Sequence, residues 1–149
     1  MTEERTGHFW DAVEGRTPMP ATTTTLGWSL IHADTERGEI EVSFEASEEF
    51  LNPAGTVQGG FLAAMLDDTQ GPALFGHTHG AAYAPTIDFN ISFLKEARPG
   101  QFVAKGRVVR MGKTIAFTEA ELLDEAGDLV ARATFTNRVM RGDKAEGFR

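Results

Sequence analysis

The chain has 149 residues, 41% hydrophobic and 24% charged, which suits one hydrophobic core and is short for two, so a single globular domain is expected. With no cysteine, a disulfide framework, a thiolate zinc site and a cysteine nucleophile are excluded, and a formal net charge of −8 argues against a general nucleic-acid binder. No window approaches the roughly 18 to 20 apolar residues of a membrane span, and the acidic start Met1-Thr2-Glu3-Glu4 lacks the features of a targeting segment, so a cytoplasmic protein with no membrane partner is expected.

Taken in chain order, Phe9, Trp10 and Val13 recur at helical spacing within Glu3–Glu14, which predicts a short N-terminal helix ended by Gly15, Pro18 and Pro20. Residues 1–21 are read as that helix and a connector, 22–140 as the core, and 141–149 as a frayed tail; Thr22–Thr25 is a polar connector. A hairpin follows, with arms Leu26–Ile31 and Glu39–Phe44 and Gly38 as the turn residue. Its second arm alternates Ile40, Val42 and Phe44 with Glu39, Glu41 and Glu45, so one face is buried.

The period then changes. Phe61, Leu62, Met65, Leu66 and Thr69 predict a buried helix after Gly59-Gly60, kinked or ended near Gln70–Pro72 because Pro72 cannot donate to the carbonyl of Asp68, with Leu74 and Phe75 able to continue it to the Gly76 loop. His77 and His79 beside Gly76 and Gly80 read as a loop, and with His8 and His32 they make no convincing metal set. Four strands, about 82–94, 101–111, 114–124 and 128–140, are separated by the turns Arg98-Pro99-Gly100, Met111-Gly112-Lys113 and Glu125-Ala126-Gly127-Asp128. The elements amount to an α+β domain, an antiparallel sheet wrapped around a central helix.

The stretch from Asn52 to Asp68 carries the chemistry. The first turn of a helix presents unpaired amides and a partial positive charge, and glycines at 59 and 60 let a ligand approach that backbone, so the Gly59 amide can polarise an acyl carbonyl as an oxyanion hole does; the same pair also suits a tight helix entry. Asp67 follows more than two turns into an apolar helix among small neighbours, which leaves room for a ligand or a second chain. One of Asp67 and Asp68 is expected at the surface, and their flanks do not decide which. Asn52 offers an amide before Pro53, or is simply a turn residue; Thr86 can hold a water at the head of a strand, or is ordinary strand composition. Pocket shape is expected to depend on Phe61, Leu62, Tyr83 and the N-terminal helix with Trp10. Charge is uneven: residues 1–94 carry 14 acidic and 3 basic side chains, residues 95–149 carry 8 and 11, so an anionic ligand would favour the C-terminal half.

The pattern Asn52-x-x-Gly55-x-x-Gln58-Gly59-Gly60 with Asp67, then Thr86-Ile87-Asp88-Phe89-Asn90-Ile91-Ser92-Phe93, then Gly112-Lys113-Thr114-Ile115-Ala116-Phe117, resembles the hotdog-fold acyl-CoA thioesterases of the phenylacetate-degradation (PaaI-like) type over about residues 40–140. The resemblance implies a homodimer, commonly paired into a tetramer, with sites between subunits and no cofactor besides the coenzyme A of the substrate. In it Gly59 polarises the thioester carbonyl, Asp67 of the facing subunit is general base or nucleophile, Asn52 positions thioester and water, and Thr86 orients that water. For such a substrate Gly60, Phe61 and Tyr83 are expected to border the acyl part, and the basic excess of the C-terminal half makes Lys113, Arg110 and Arg141 candidates for the nucleotide end. Gln58 departs from the family's usual His and cannot titrate near neutral pH. The alternative is a non-catalytic acyl-CoA or small-ligand binding protein on the same fold; a hydratase, which needs an acid-base pair usually with His, ranks below both.

Overall fold

A computed structural model describes residue 5 and residues 7–142. Two short helices, α1 (His8–Val13) and α2 (Ala21–Leu26), precede the hairpin β1 (Ser29–Asp34) and β2 (Glu39–Ala46); a 3-10 turn over Glu48–Phe50 leads to the long helix α3 (Gly59–His77). Then come β3 (Ala82–Tyr83), β4 (Thr86–Phe93), β5 (Gly100–Met111), β6 (Ile115–Leu123), β7 (Leu129–Arg138) and β8 (Met140–Arg141). Six strands form one antiparallel sheet in the order β1-β2-β5-β6-β7-β4, and β3 pairs separately with β8. No helix among the described residues is long and apolar enough to cross a membrane.

The α+β expectation of a sheet around a central helix holds because two periodicities meet in one core. Ile40, Val42 and Phe44 of β2, Phe102 and Ala104 of β5, Leu122 of β6 and Phe135 of β7 present alternate side chains to one face, and Leu62, Met65 and Leu66 of α3 fill it. The helix approaches the sheet most closely over β5, where a Cβ at Gly106 would lie 3.0 Å from Thr69 Cγ2 and 3.3 Å from the Thr69 carbonyl oxygen. Glycine at 106 therefore sets the depth of the α3 segment that carries Asp67, Asp68 and Gln70.

Several expectations are corrected. The polar connector at Thr22–Thr25 is helical: Pro20 precedes α2, Gly27 ends it in the left-handed region at φ 66°, and three threonine hydroxyls donate back to carbonyls of the preceding turn. The first hairpin arm consequently starts at Ser29 rather than Leu26. Helix α3 does not end near Pro72 but takes the continuation through Leu74 and Phe75, and it runs on to His77, so Gly76 and His77 are helical rather than loop. The predicted strand 82–94 is divided at Ala84-Pro85 into β3 and β4, and strand 128–140 at Val139 into β7 and β8. Of the predicted tail, Arg141 pairs with Ala82, and 143–149 lie outside the described residues, as do Glu3 and Glu4 of the predicted first helix.

Candidate active site

The segment before α3 is a built turn. The Asn52 side chain accepts from the amides of Ala54 at 3.0 Å and Thr56 at 3.2 Å, and its Nδ2 donates to Thr56 Oγ1 at 2.9 Å. Its amide thus shapes the loop that delivers Gln58 and Gly59, and Gln58 NH is tied to the Phe50 carbonyl at 2.8 Å. Phe50 stacks on Phe61, ring centroids 4.0 Å apart, which fixes the helix entry from the other side.

At the helix start, Phe61 and Leu62 already donate to the Gln58 carbonyl, at 2.9 and 3.4 Å, whereas the amides of Gly59 and Gly60 have no backbone acceptor among the described residues. Two donors therefore stand unused where the helix dipole is positive. The Phe93 ring borders them, since a Cβ at Gly59 would lie 3.1 Å from Phe93 Cζ. The Gln58 side chain is exposed and supplies no cap.

Two turns on, Asp67 and Asp68 separate. Asp67 is exposed, and its Oδ1 accepts from Thr86 Oγ1 at 2.8 Å and Gln70 Nε2 at 3.0 Å. Asp68 also borders the groove but is half-buried, with Oδ2 buried and unpartnered among the described residues. Burial, and then the adjacent charge of Asp67, push its carboxyl up to about 7.

Behind Asp67 lies a polar set inside the core. Thr118 Oγ1 donates to Gln70 Oε1 at 2.6 Å, and Asn137 Nδ2 donates to Thr118 Oγ1 at 3.1 Å. Gln70, Thr118 and Asn137 are only 2%, 1% and 0% exposed. Sequence reading passed over all three, yet each left a signal: Gln70 follows Asp67 by three on one helix face, and Thr118 and Asn137 interrupt otherwise apolar alternations, Ala116/Ala120/Leu122 and Ala131/Ala133/Phe135.

Asp67, Thr86, Phe61 and Tyr83 share a groove of about 730 Å³ between α3, the two N-terminal helices and residues 82–86. Trp10 and Leu62 do not line it. Both are core residues, and Phe9 takes the place expected for Trp10, held edge-to-face against Trp10, Trp28 and Phe75. A second cavity of about 580 Å³ brings Lys113 and Arg141 together with Arg138, which sequence reading missed. Arg110 stands outside this cavity, exposed on β5.

Among the described residues, no group of three or more His, Asp or Glu side chains is placed to hold a metal ion.

The sequence profile of the thioesterase superfamily matches residues 54–131, a span that contains Gly59, Asp67, Gln70, Thr86 and Thr118. Human acyl-coenzyme A thioesterase 13 is 32% identical over 104 residues, covering 68% of this chain and 74% of that protein. A phenylacetic acid degradation-related protein of Ralstonia eutropha JMP134 superposes with a TM-score of 0.83 at 36% identity, over 89% of this chain and 99% of its own. The PaaI protein of the Escherichia coli phenylacetic acid degradation operon, at 21% identity, shares the fold with a TM-score of 0.74 over 89% and 94% of the two chains.

Proposed function

The chain belongs to the thioesterase superfamily, and on that premise we propose that it hydrolyses acyl-CoA thioesters at a site completed by a second copy of itself. One relationship carries the reading. Gly59 and Asp67 are eight residues apart on one helix, hence about 12 Å along its axis, whereas an oxyanion donor and a base serving one carbonyl must each come within about 3 Å of the reacting atoms. The Gly59 amide of one subunit and the Asp67 carboxylate of its mate can meet that requirement in a homodimer; pairing of dimers into a tetramer extends the same reading.

In this mechanism the thioester carbonyl oxygen lies at the Gly59 amide, with Gly60 beside it and Asn52 holding the approach. Asp67 takes a proton from a water held by Thr86; the water oxygen bonds to the acyl carbon, the carbon–sulfur bond breaks, and the thiolate recovers the proton from Asp67. The acyl group lies along Phe61 and Tyr83, and the phosphates of coenzyme A at Lys113, Arg138 and Arg141, which make no ion pair among the described residues. The polar carboxylate and hydroxyl of Asp67 and Thr86 suffice as the protein's acid-base groups, with coenzyme A entering only as part of the substrate. The compartment that fits is the cytoplasm.

A panel of aryl- and alkyl-CoA thioesters, assayed for free thiol release and for thermal protection, tests this. Thiol release with at least one acyl class is expected; protection by every ligand without release would identify a binding protein instead.

A further inference from the structure

The buried polar set behind Asp67 forfeits water in an apolar core, a cost that its own hydrogen bonds must offset. An accounting of protons shows where it leads. Asn137 Nδ2 gives a hydrogen to Thr118 Oγ1, the Thr118 hydroxyl gives its single proton to Gln70 Oε1, and Gln70 Nε2 gives its two hydrogens to Asp67 Oδ1 and, at 3.2 Å, to Thr86 Oγ1. Every amide orientation is forced by the next partner, and the chain runs in one direction, from the core to the exposed carboxylate of Asp67. It also closes on itself, since Thr86 and Asn137 face each other in the β4–β7 register with Thr86 Oγ1 3.2 Å from Asn137 Oδ1.

We propose that Gln70, Thr118 and Asn137 are positioning residues that fix the rotamer and hydrogen bonding of the Asp67 carboxylate and thereby the rate of hydrolysis. This rests on the reading of Asp67 as the reacting base. The two donors converge on Oδ1, and Oδ2 accepts from no described residue, which leaves one oxygen for the water. The Thr86 hydroxyl has one proton and two acceptors within reach, Asp67 Oδ1 and Asn137 Oδ1. It donates to Asp67 while that group is ionised and turns to Asn137 once Asp67 has taken the proton of water, so neither state leaves the hydroxyl proton unpaired.

The test is made on Thr118, which touches neither Asp67 nor the groove. Thr118→Val keeps the shape and removes the hydroxyl; kcat is expected to fall about tenfold with KM within about twofold, and Thr118→Ser, which restores the hydroxyl, to recover most of kcat. A purely structural role would lower Tm in both variants without changing kcat per folded site. Gln70→Glu sets a second carboxyl beside Asp67, and the acid limb of kcat/KM should move to higher pH as the two share a proton. A folded Thr118→Val with parental kcat overturns the proposal; should that variant not fold, an unmoved acid limb in Gln70→Glu does the same. Asp67→Asn separates the failures: an inactive Asp67→Asn beside a fully active Thr118→Val removes the relay alone, whereas a fully active Asp67→Asn removes the reading of Asp67 as well.

Discussion

The indole Nε1 of Trp28 donates to the main-chain carbonyl of Asp68 at 3.1 Å. That carbonyl is the one Pro72 leaves without its helical donor, four residues on, so the side chain of a residue just before β1 repairs the gap and α3 passes through Pro72 intact. The repair falls on the turn that carries Asp67, Asp68 and Gln70, where a frayed helix would displace all three.

Trp28→Phe should therefore destabilise by about 1–3 kcal/mol for the orphaned carbonyl, beyond any loss of ring packing on Phe9. Pro72→Ala supplies the missing amide, so the cost of Trp28→Phe should shrink in that background. Denaturant unfolding of the two single variants and the double variant gives the coupling; strict additivity would show that the two sites are independent.

Asp67→Asn keeps both acceptor contacts, with Thr86 and Gln70, and removes only the basic oxygen. Turnover should drop by about 10²- to 10⁴-fold, the usual range for a lost general base, with Tm near that of the parent. Steady-state kinetics on the best thioester of the panel, with Tm measured on the same preparation, checks both halves.

How much of this was legible beforehand depended on whether the cause lay within one segment. The alternation of Ile40, Val42 and Phe44 and the three- and four-residue spacing of Phe61, Leu62, Met65 and Leu66 predict their elements because one face of each is buried locally. The continuity of α3 through Pro72 depends on Trp28, forty residues away, and no local rule contains it. The helix at Ala21–Leu26 was hidden by a threonine run of poor helix propensity, although Pro20 and Gly27 mark its ends. Periodicity could not separate Asp67 from Asp68, because what distinguishes their surroundings is the Thr86–Gln70 pair on other turns and strands.

Asp68 gives a pH-dependent signature. Its carboxyl is raised from the ordinary 3.8 to about 7, by burial first and by Asp67 second, so the native state holds a proton there that the unfolded chain has lost. Stability is then unaffected by Asp68 below about pH 4, declines between about 4 and 7, and is level above. Asp68→Asn removes that decline. The Tm gap between variant and parent should widen in favour of the variant from pH 5 to pH 8, and a gap that stays constant with pH would contradict the assignment.

Gln58→His restores the residue usual in the family at an exposed position whose side chain makes no contact needed by the helix start. Activity within a few-fold of the parent is expected. A collapse of kcat with KM unchanged would show that the Gln58 amide itself acts in the transition state.

On the proposed function, the cavity of Lys113, Arg138 and Arg141 bears on binding rather than chemistry. Phosphate contacts made equally in ground and transition states lower KM and leave kcat alone. Lys113→Ala with Arg138→Ala should then raise KM several-fold at low ionic strength, with kcat unchanged. The difference should narrow as salt screens the exposed charges. Arg110→Ala, whose residue stands apart from that cavity, serves as the control and should move neither constant. Were Arg110→Ala to raise KM as much as the double variant, β5 would carry phosphate binding as well, because coenzyme A bears its 3'-phosphate and its pyrophosphate at separate places and each can meet its own basic group.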